Sequence, residues 1–284
     1  MAAGKGTRMK SNLPKVLHRL AGRPLLQHVL DTAAELSARR VVVVSGHGAV
    51  EVEAAISRPA RAGATFAIEF VRQEPQLGTG HAVQQAAPVL PDDGIVVVLS
   101  GDVPLIKANT LQALIAACGG SKLALLTIDF ADPVGYGRIV RQGGAEGAVQ
   151  AIVEQKDATE AQRAIKEVYS GIMAVPTAKL KAWLARLDNK NAQGEYYLTD
   201  VVKFAVADGM SVVAHKIGEA LQEAGINSPL QLAALERAFQ FRQADELMTQ
   251  GVRLAAQARF VLRDEWHGGH GVEREADVII EGGV

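Results

Sequence analysis

An α/β fold built on a mostly parallel sheet is what this sequence predicts, from three observations. "RRVVVVSGHG" (39–48) and "GIVVVLSGDVPL" (94–105) are continuous β-branched runs that end in glycine, the pattern of strands buried on both faces. Stripes of apolar residues at helical spacing lie before and after them. Strands alternating with helices of this length point to parallel pairing with crossover helices.

The elements follow in chain order. Gly22-Arg23-Pro24 precedes Leu26, Val29, Leu30 and Ala33, an i, i+3, i+4, i+7 stripe that predicts a helix from about Pro24 to Ser37, with proline in its first turn. "HAVQQAAPVL" reads as a helix before the second strand and "NTLQALIAAC" as one after it. From Lys122 the rhythm changes. "KLALLTIDF", "GRIVRQ", "VQAIVEQK" and "EVYSGIMAV" read as shorter strands, an extension of the sheet forming the far wall of a pocket. "TAKLKAWLARL" and "TDVVKFAVADG" are helical, and "MSVVAHKI" is a last strand. Ser228-Pro229 then supplies an N-cap and first turn for a long helix, a natural linker. "ADVIIEGGV" reads as one turn of a β-solenoid, an architecture that needs about three turns to bury a core.

Composition narrows the function. The chain has 284 residues, 48% hydrophobic and 21% charged, enough for a sizeable core. Lys plus Arg is 30 against 31 for Asp plus Glu, which excludes the basic excess that a nucleic-acid binder needs. Cys118 is alone, so no intrachain disulfide or Cys-based zinc site forms. The longest apolar runs are strand-sized, far below the roughly 20 residues that span a bilayer. A soluble, cytoplasmic protein is expected.

The chemistry begins at "MAAGKGTRMK". Gly4 and Gly6 let backbone amides approach an anion closely. Thr7 adds a hydroxyl, Lys5 and Arg8 add charge, and successive amides in such a loop form an anion nest. Alone, this short pattern fits an ordinary glycine-rich turn equally well. Asp102 follows a buried strand, where an aspartate either caps the next turn or faces a ligand beyond the carboxyl ends of the strands. His267 and His270 in "WHGGHG" have no carboxylate positioned with them and are assigned to the solenoid entry rather than to a metal.

The continuation "SNLPKVLHRLAGRP" extends the loop. The whole run AAGKGTRMxSxLPKVL resembles the signature of sugar-1-phosphate nucleotidyltransferases. It is most similar to the uridylyltransferase half of the bacterial bifunctional N-acetylglucosamine-1-phosphate uridylyltransferase/glucosamine-1-phosphate acetyltransferase family. Further stretches match in the same order over nearly the whole chain. The resemblance implies a Rossmann-like nucleotidyltransferase domain over 1–229, a linker helix over 230–250, and over 251–284 the truncated start of a left-handed β-helix acetyltransferase domain.

It also implies roles. Arg8 and Lys15 are the implied catalytic cations, and Ala2, Ala3, Gly4, Gly6 and Thr7 the loop around the phosphates. "QLGTGHAVQQA" resembles the uracil-contacting loop, with Gln73, Gly78 and Thr79 on matching positions. "SGDVPL" supplies Ser100, Gly101 and the magnesium ligand Asp102; "GINSPLQLAALE" supplies Asn227 at the second metal-ligand position. "DPVGYGRIV", "IVEQKDA" and "NAQGEYYLTD" resemble the sugar-pocket segments and place Gly137, Glu154, Glu195 and Tyr197 there. The implied reaction is magnesium-dependent uridylyl transfer from UTP to N-acetylglucosamine 1-phosphate. Alternatives are a nucleotidyltransferase for another base or sugar, and a nucleotide-sugar-binding fragment without turnover.

Three departures from the family pattern matter. A β-strand precedes the AAGKG loop in the family, whereas this chain starts inside it. Tyr169 of "VYSGI" stands where an amide would contact the sugar, and Ser100 where an aromatic residue usually stands. The acetyltransferase site of the family lies beyond residue 284, so no acetyl transfer is expected. Full-length family members are trimers through the solenoid; a monomer is expected here.

Overall fold

A computed structural model describes residues 1–56, 68–263, 273–274 and 279–281. The glycine loop passes through two short 3₁₀ turns, Thr7–Met9 and Lys15–Leu17, into a two-residue hairpin of β1 (Arg19–Leu20) and β2 (Arg23–Pro24). Helix α1 (Leu25–Ala34) buries Leu25, Leu26, Val29, Leu30 and Ala33, the stripe read from the sequence, and ends three residues before Ser37. The first β-branched run is β3 (Val41–Ser45), followed by α2 (Ala49–Ile56) and β4 (Ile68–Arg72). β3 and β4 pair in parallel from Val41↔Ile68 to Ser45↔Arg72. Helix α3 (Thr79–Ala86), β5 (Ile95–Val98) and α4 (Ala108–Cys118) come next.

The second half contains β6 (Leu123–Asp129), β7 (Arg138–Arg141), β8 (Val149–Val153), the one-turn α5 (Glu160–Arg163), and β9 (Glu167–Pro176). Then follow α6 (Thr177–Leu184), α7 (Val201–Ala207), β10 (Val212–Lys216) and the 21-residue α8 (Pro229–Thr249). β10 lies parallel to β6. β9 runs against its neighbours, antiparallel to β6, to β5 and to β7. One edge of β9 pairs with β6 along its length. The other edge pairs with β5 at Met173–Pro176 and with β7 at Val168. A single strand therefore joins the two ends of the sheet.

Both faces of this sheet are covered. Leu123, Leu125, Met173 and Val175 pack with Leu180, Trp183, Val201 and Val202 on one side. Ala124, Leu126, Ile172 and Ala174 pack with Leu111, Leu114 and Cys118 on the other. Two-sided burial is why the strands read as unbroken apolar runs rather than alternations. Between β3 and β5 the chain start bridges the gap: Ala2 N donates to Val44 O (2.8 Å) and Gly101 N to Met1 O (2.9 Å). An apolar cavity of about 300 Å³ lies behind this bridge, lined by Leu26, Leu30, Val43, Val83 and Val97.

Helix α8 starts at the Ser228 cap, whose hydroxyl accepts from Gln231 N. Leu235 on α8 packs with Met9, Leu20, Leu25, Leu105 and Ile226, which ties the helix to the glycine loop. Beyond it, Arg253–Leu254 pairs in parallel with Glu273–Arg274, and Val261–Arg263 with Ile279–Glu281. His267 and His270 lie outside the described residues. No described helix is long and apolar enough to cross a membrane.

Two-sided burial makes a test. Leu125→Ala and Leu126→Ala open the core on opposite faces, and each side chain is fully buried. Each substitution is expected to cost about 2–5 kcal/mol in urea unfolding. One costly and one neutral result would mean that only one face is buried.

Candidate functional site

Residues spread over more than two hundred positions meet at the carboxyl ends of β3 and β5. Lys15 follows Pro14, whose extended backbone (φ −51°, ψ 136°) turns the chain out of the glycine loop. Its ammonium donates to Asp102 Oδ2 at 2.5 Å and to Asn227 Oδ1 at 3.2 Å. The ion pair is mostly buried, with 16% and 17% of the two side chains exposed. Asp102 is delivered by the turn after β5 and Asn227 by the residue before the α8 cap. Ile226 N donates to Asp102 O (3.0 Å), so the segments that carry Asp102 and Asn227 are joined through their backbones as well.

The glycine loop is built against this pair. Gly6 has φ +59°, and a Cβ there would lie 2.7 Å from Lys15 Cβ. Only glycine fits that conformation without strain. Ala2 and Ala3 are buried at the loop's root, and Gly4, Thr7 and Arg8 are exposed. The structure thus brings Lys15, Asp102 and Asn227 together and leaves the Arg8 guanidinium in solvent, without a side-chain hydrogen bond or ion pair among the described residues.

A second group surrounds Gln73. That side chain is buried, and its amide nitrogen donates to Gly78 O (2.9 Å) and meets His81 Nδ1 at 3.2 Å. Gln73 therefore braces the 77–80 loop through its side chain. The loop is also clasped from outside: Tyr196 N donates to Leu77 O, Gly80 N to Tyr196 O, and Leu198 N to Thr79 Oγ1. Gly78 sits at φ +108°, and a Cβ there would lie 2.6 Å from Tyr196 O. The backbone of the 77–80 loop approaches that of 195–198 too closely for any side chain.

The third group lies where β7, β8 and the 191–200 segment meet. Glu154 Oε1 accepts from Thr199 Oγ1 (3.0 Å). The Tyr197 hydroxyl donates to Asp157 Oδ2 (3.1 Å) and accepts from Gln193 (2.9 Å). Gly137 faces Glu154, since a Cβ there would lie 3.6 Å from both carboxylate oxygens. Glu195 is held through its backbone, which exchanges hydrogen bonds with the Asn191 side chain. Tyr169 is buried in the core beside Met173 and Ile139, and its backbone N–H donates to Gly137 O (2.9 Å). Ser100 packs against β9, with Oγ 2.9 Å from the Cβ position of Gly171.

Electrostatics separates the ends of the site. Burial pushes the Glu154 carboxyl above its ordinary range; the Thr199 hydrogen bond opposes this, and Asp200, Asp157 and Glu195 add to it. Burial also pushes the Tyr197 phenol up to about 12, aided by Asp157. This end is acidic and hydroxyl-rich, whereas the Lys15 end is cationic. Thr199, Asp157, Gln193 and Asn191 were absent from the sequence-based site; their only signal was adjacency to Glu154, Glu195 and Tyr197.

A divalent metal fits the cationic end. Among the described residues no group of three or more His, Cys, Asp and Glu converges on a point. The Lys15 ammonium, however, stands in as a cation between one carboxylate and one amide oxygen. Hard oxygen donors, few in number, suit an ion that keeps most of its water.

Residues 1–172 match the family described as a MobA-like NTP transferase domain. The chain is 71% identical over its full length to the bifunctional protein GlmU of Albidiferax ferrireducens, spanning 61% of that protein. It is 51% identical to the protein of the same name from Alkalilimnicola ehrlichii, spanning 59% of it. The chain thus spans about three fifths of these relatives. Among solved structures, a UDP-glucose pyrophosphorylase complexed with UDP-glucose superposes with a TM-score of 0.67 at 19% identity, covering 84% of this chain and 95% of that one. An apo UDP-glucose pyrophosphorylase gives 0.64 at 18% identity, covering 85% and 97%. At such identities the likeness is one of fold.

The Glu154 environment predicts a pH dependence. A carboxyl whose folded pKa is raised carries no penalty while protonated in both states, below 4.5. Its ionisation then costs stability progressively as pH rises through and above that value. Glu154→Gln removes the charge and keeps an acceptor for Thr199. Its melting temperature minus that of the unsubstituted protein is expected to be near zero at pH 4.5 and to grow more positive toward pH 7. A flat or falling difference would contradict the burial of that charge.

Proposed function

The chain belongs to the MobA-like NTP transferase domain family, and from that premise we propose that it performs the uridylyltransferase half of the bifunctional GlmU reaction. The substrates are UTP and N-acetylglucosamine 1-phosphate; the products are UDP-N-acetylglucosamine, a cell-wall precursor, and pyrophosphate. The observation that carries this reading is the convergence of Lys15, Asp102 and Asn227 beside a glycine nest.

The chemistry asks for this arrangement. The attacking sugar phosphate has a second pKa of about 6 and is already ionised near neutral pH. No general base is required. Its oxygen attacks the α-phosphorus of the nucleotide, the new P–O bond forms, and the bond to the β-phosphate oxygen breaks with its electron pair. The obstacle is repulsion between anions, about 4 kcal/mol for two unit charges 4 Å apart at an effective dielectric of 20. Amides of the 4–8 loop bind the phosphates, Lys15 neutralises charge at the reacting end, and Arg8 closes on the triphosphate from solvent. Asp102 and Asn227 would hold a magnesium ion. Bound there, it supplies charge neutralisation for the phosphates.

Gln73, Gly78 and Thr79 take the base, and Gly137, Glu154, Glu195 and Tyr197 take the sugar. Glu154 and the Asp157–Tyr197 pair offer acceptors and a donor to sugar hydroxyls. We assign residues 1–229 to the transferase domain, 230–250 to the linker helix, and 251–284 to the start of a left-handed β-helix, with no acetyl transfer from these residues. Consuming UTP, the enzyme works in the cytoplasm.

Pyrophosphate release from UTP and N-acetylglucosamine 1-phosphate with magnesium is the direct test. Release is expected with this pair and not when other nucleoside triphosphates replace UTP. Arg8→Ala is expected to lower turnover about 10²–10³-fold, as loss of one charge-stabilising donor does, while product binding weakens far less. A folded sample with no release would overturn the assignment. Product binding without release would identify a binding fragment.

A further inference from the structure

Lys15 has two incompatible tasks in the reading above. It is the cation assigned to the nucleotide phosphates, yet its ammonium is bonded to both oxygens assigned to the metal. Asp102 Oδ2 and Asn227 Oδ1 accept from the same nitrogen, at 2.5 and 3.2 Å. Among the described residues these acceptors have no other donor. A divalent cation bound to the same two side chains would stand against the ammonium, and the repulsion between like charges at that distance favours its departure.

We propose that Lys15 is a displaceable internal cation: its ammonium neutralises Asp102 and Asn227 in the free protein, yields them to a divalent metal, and moves onto the nucleotide phosphates. This rests on Asp102 and Asn227 being the metal ligands. Lysine suits the task because its ammonium is a compact charge on a flexible four-carbon stem, with no rigid fork to hold one geometry. The side chain is 16% exposed and so reaches solvent without opening the core. Its stem runs against Gly6, the residue that shapes the phosphate loop, which puts the destination within the same turn of chain.

The consequence is thermodynamic coupling. Without nucleotide, the metal displaces a cation that has no other anionic partner among the described residues, so it binds weakly. Nucleotide phosphates give Lys15 that partner and strengthen metal binding. By linkage the metal strengthens nucleotide binding by the same factor. Activation of the phosphates and loading of the ion become one event.

The test measures Mn²⁺ binding to the full chain without nucleotide, following free ion by electron paramagnetic resonance. Mn²⁺ is chosen because it prefers the same oxygen donors as Mg²⁺. Lys15→Met is expected to tighten binding by at least about fivefold, the lower end of ordinary coupling between sites. Arg8→Met removes a charge of the same loop that does not touch Asp102 and is expected to change the affinity less than about twofold, well short of a coupling effect. Asp102→Asn is expected to abolish the site.

Unchanged or weaker binding in Lys15→Met, with Asp102→Asn inactive in binding, overturns the exchange and leaves the metal ligands standing. Equal tightening in Arg8→Met also overturns it, since general charge removal then explains the gain. If Asp102→Asn binds as the unsubstituted protein does, the ligand assignment fails and the exchange with it. A second readout needs no variant: Mn²⁺ is expected to increase labelling of Lys15 by an amine-reactive ester, measured by mass spectrometry. Unchanged or decreased labelling overturns the proposal.

Discussion

The Lys15 ammonium joins three distant pieces of chain at one point, the cationic end of the site. Asp102 brings the end of β5, Asn227 brings the start of α8, and Lys15 brings the exit of the glycine loop. A mostly buried carboxylate is costly unless paired, so the aspartate needs a cation whether or not substrate is present. The backbone bond from Ile226 to Asp102 and the packing of Leu235 with Met9 and Leu25 make the same three pieces converge without the charge. The site therefore has a scaffold on which the cation can change partners.

β9 sets the other dimension of the site. Pairing with β5 at one end and β7 at the other, it fixes the distance between the cationic end and the hydroxyl-rich end. The Tyr197 hydroxyl, paired with Asp157 and Gln193, and the raised pKa of Glu154 make the far end acidic and hydroxyl-rich. A sugar phosphate, the proposed substrate, has both characters.

Much of this was legible in the sequence because burial on two faces leaves a simple trace. The valine runs of β3 and β5 and the stripe of α1 became the expected elements within a few residues. The orientation of β9 was not legible, since pairing direction is decided by which edges are free after folding, and "EVYSGIMAV" reads the same either way. β4 left too weak a pattern, with five residues of intermediate or exposed character. Of the site, the loop and Asp102 were readable as anion chemistry, but Lys15 touching Asp102 and Asn227 spans 87 and 212 positions and has no local signal. The buried Gln73 shows the converse. Its amide nitrogen is spent on the 77–80 loop, so its part in any site includes holding that loop in shape.

The Lys15–Asp102 contact is an energetic link and not a chance neighbourhood of two side chains. A double-mutant cycle in urea unfolding, with Lys15→Met, Asp102→Asn and the pair of substitutions together, measures it directly. A coupling of about 0.5–3 kcal/mol is expected, as for residues in direct contact. Additivity within about 0.3–0.5 kcal/mol would contradict it.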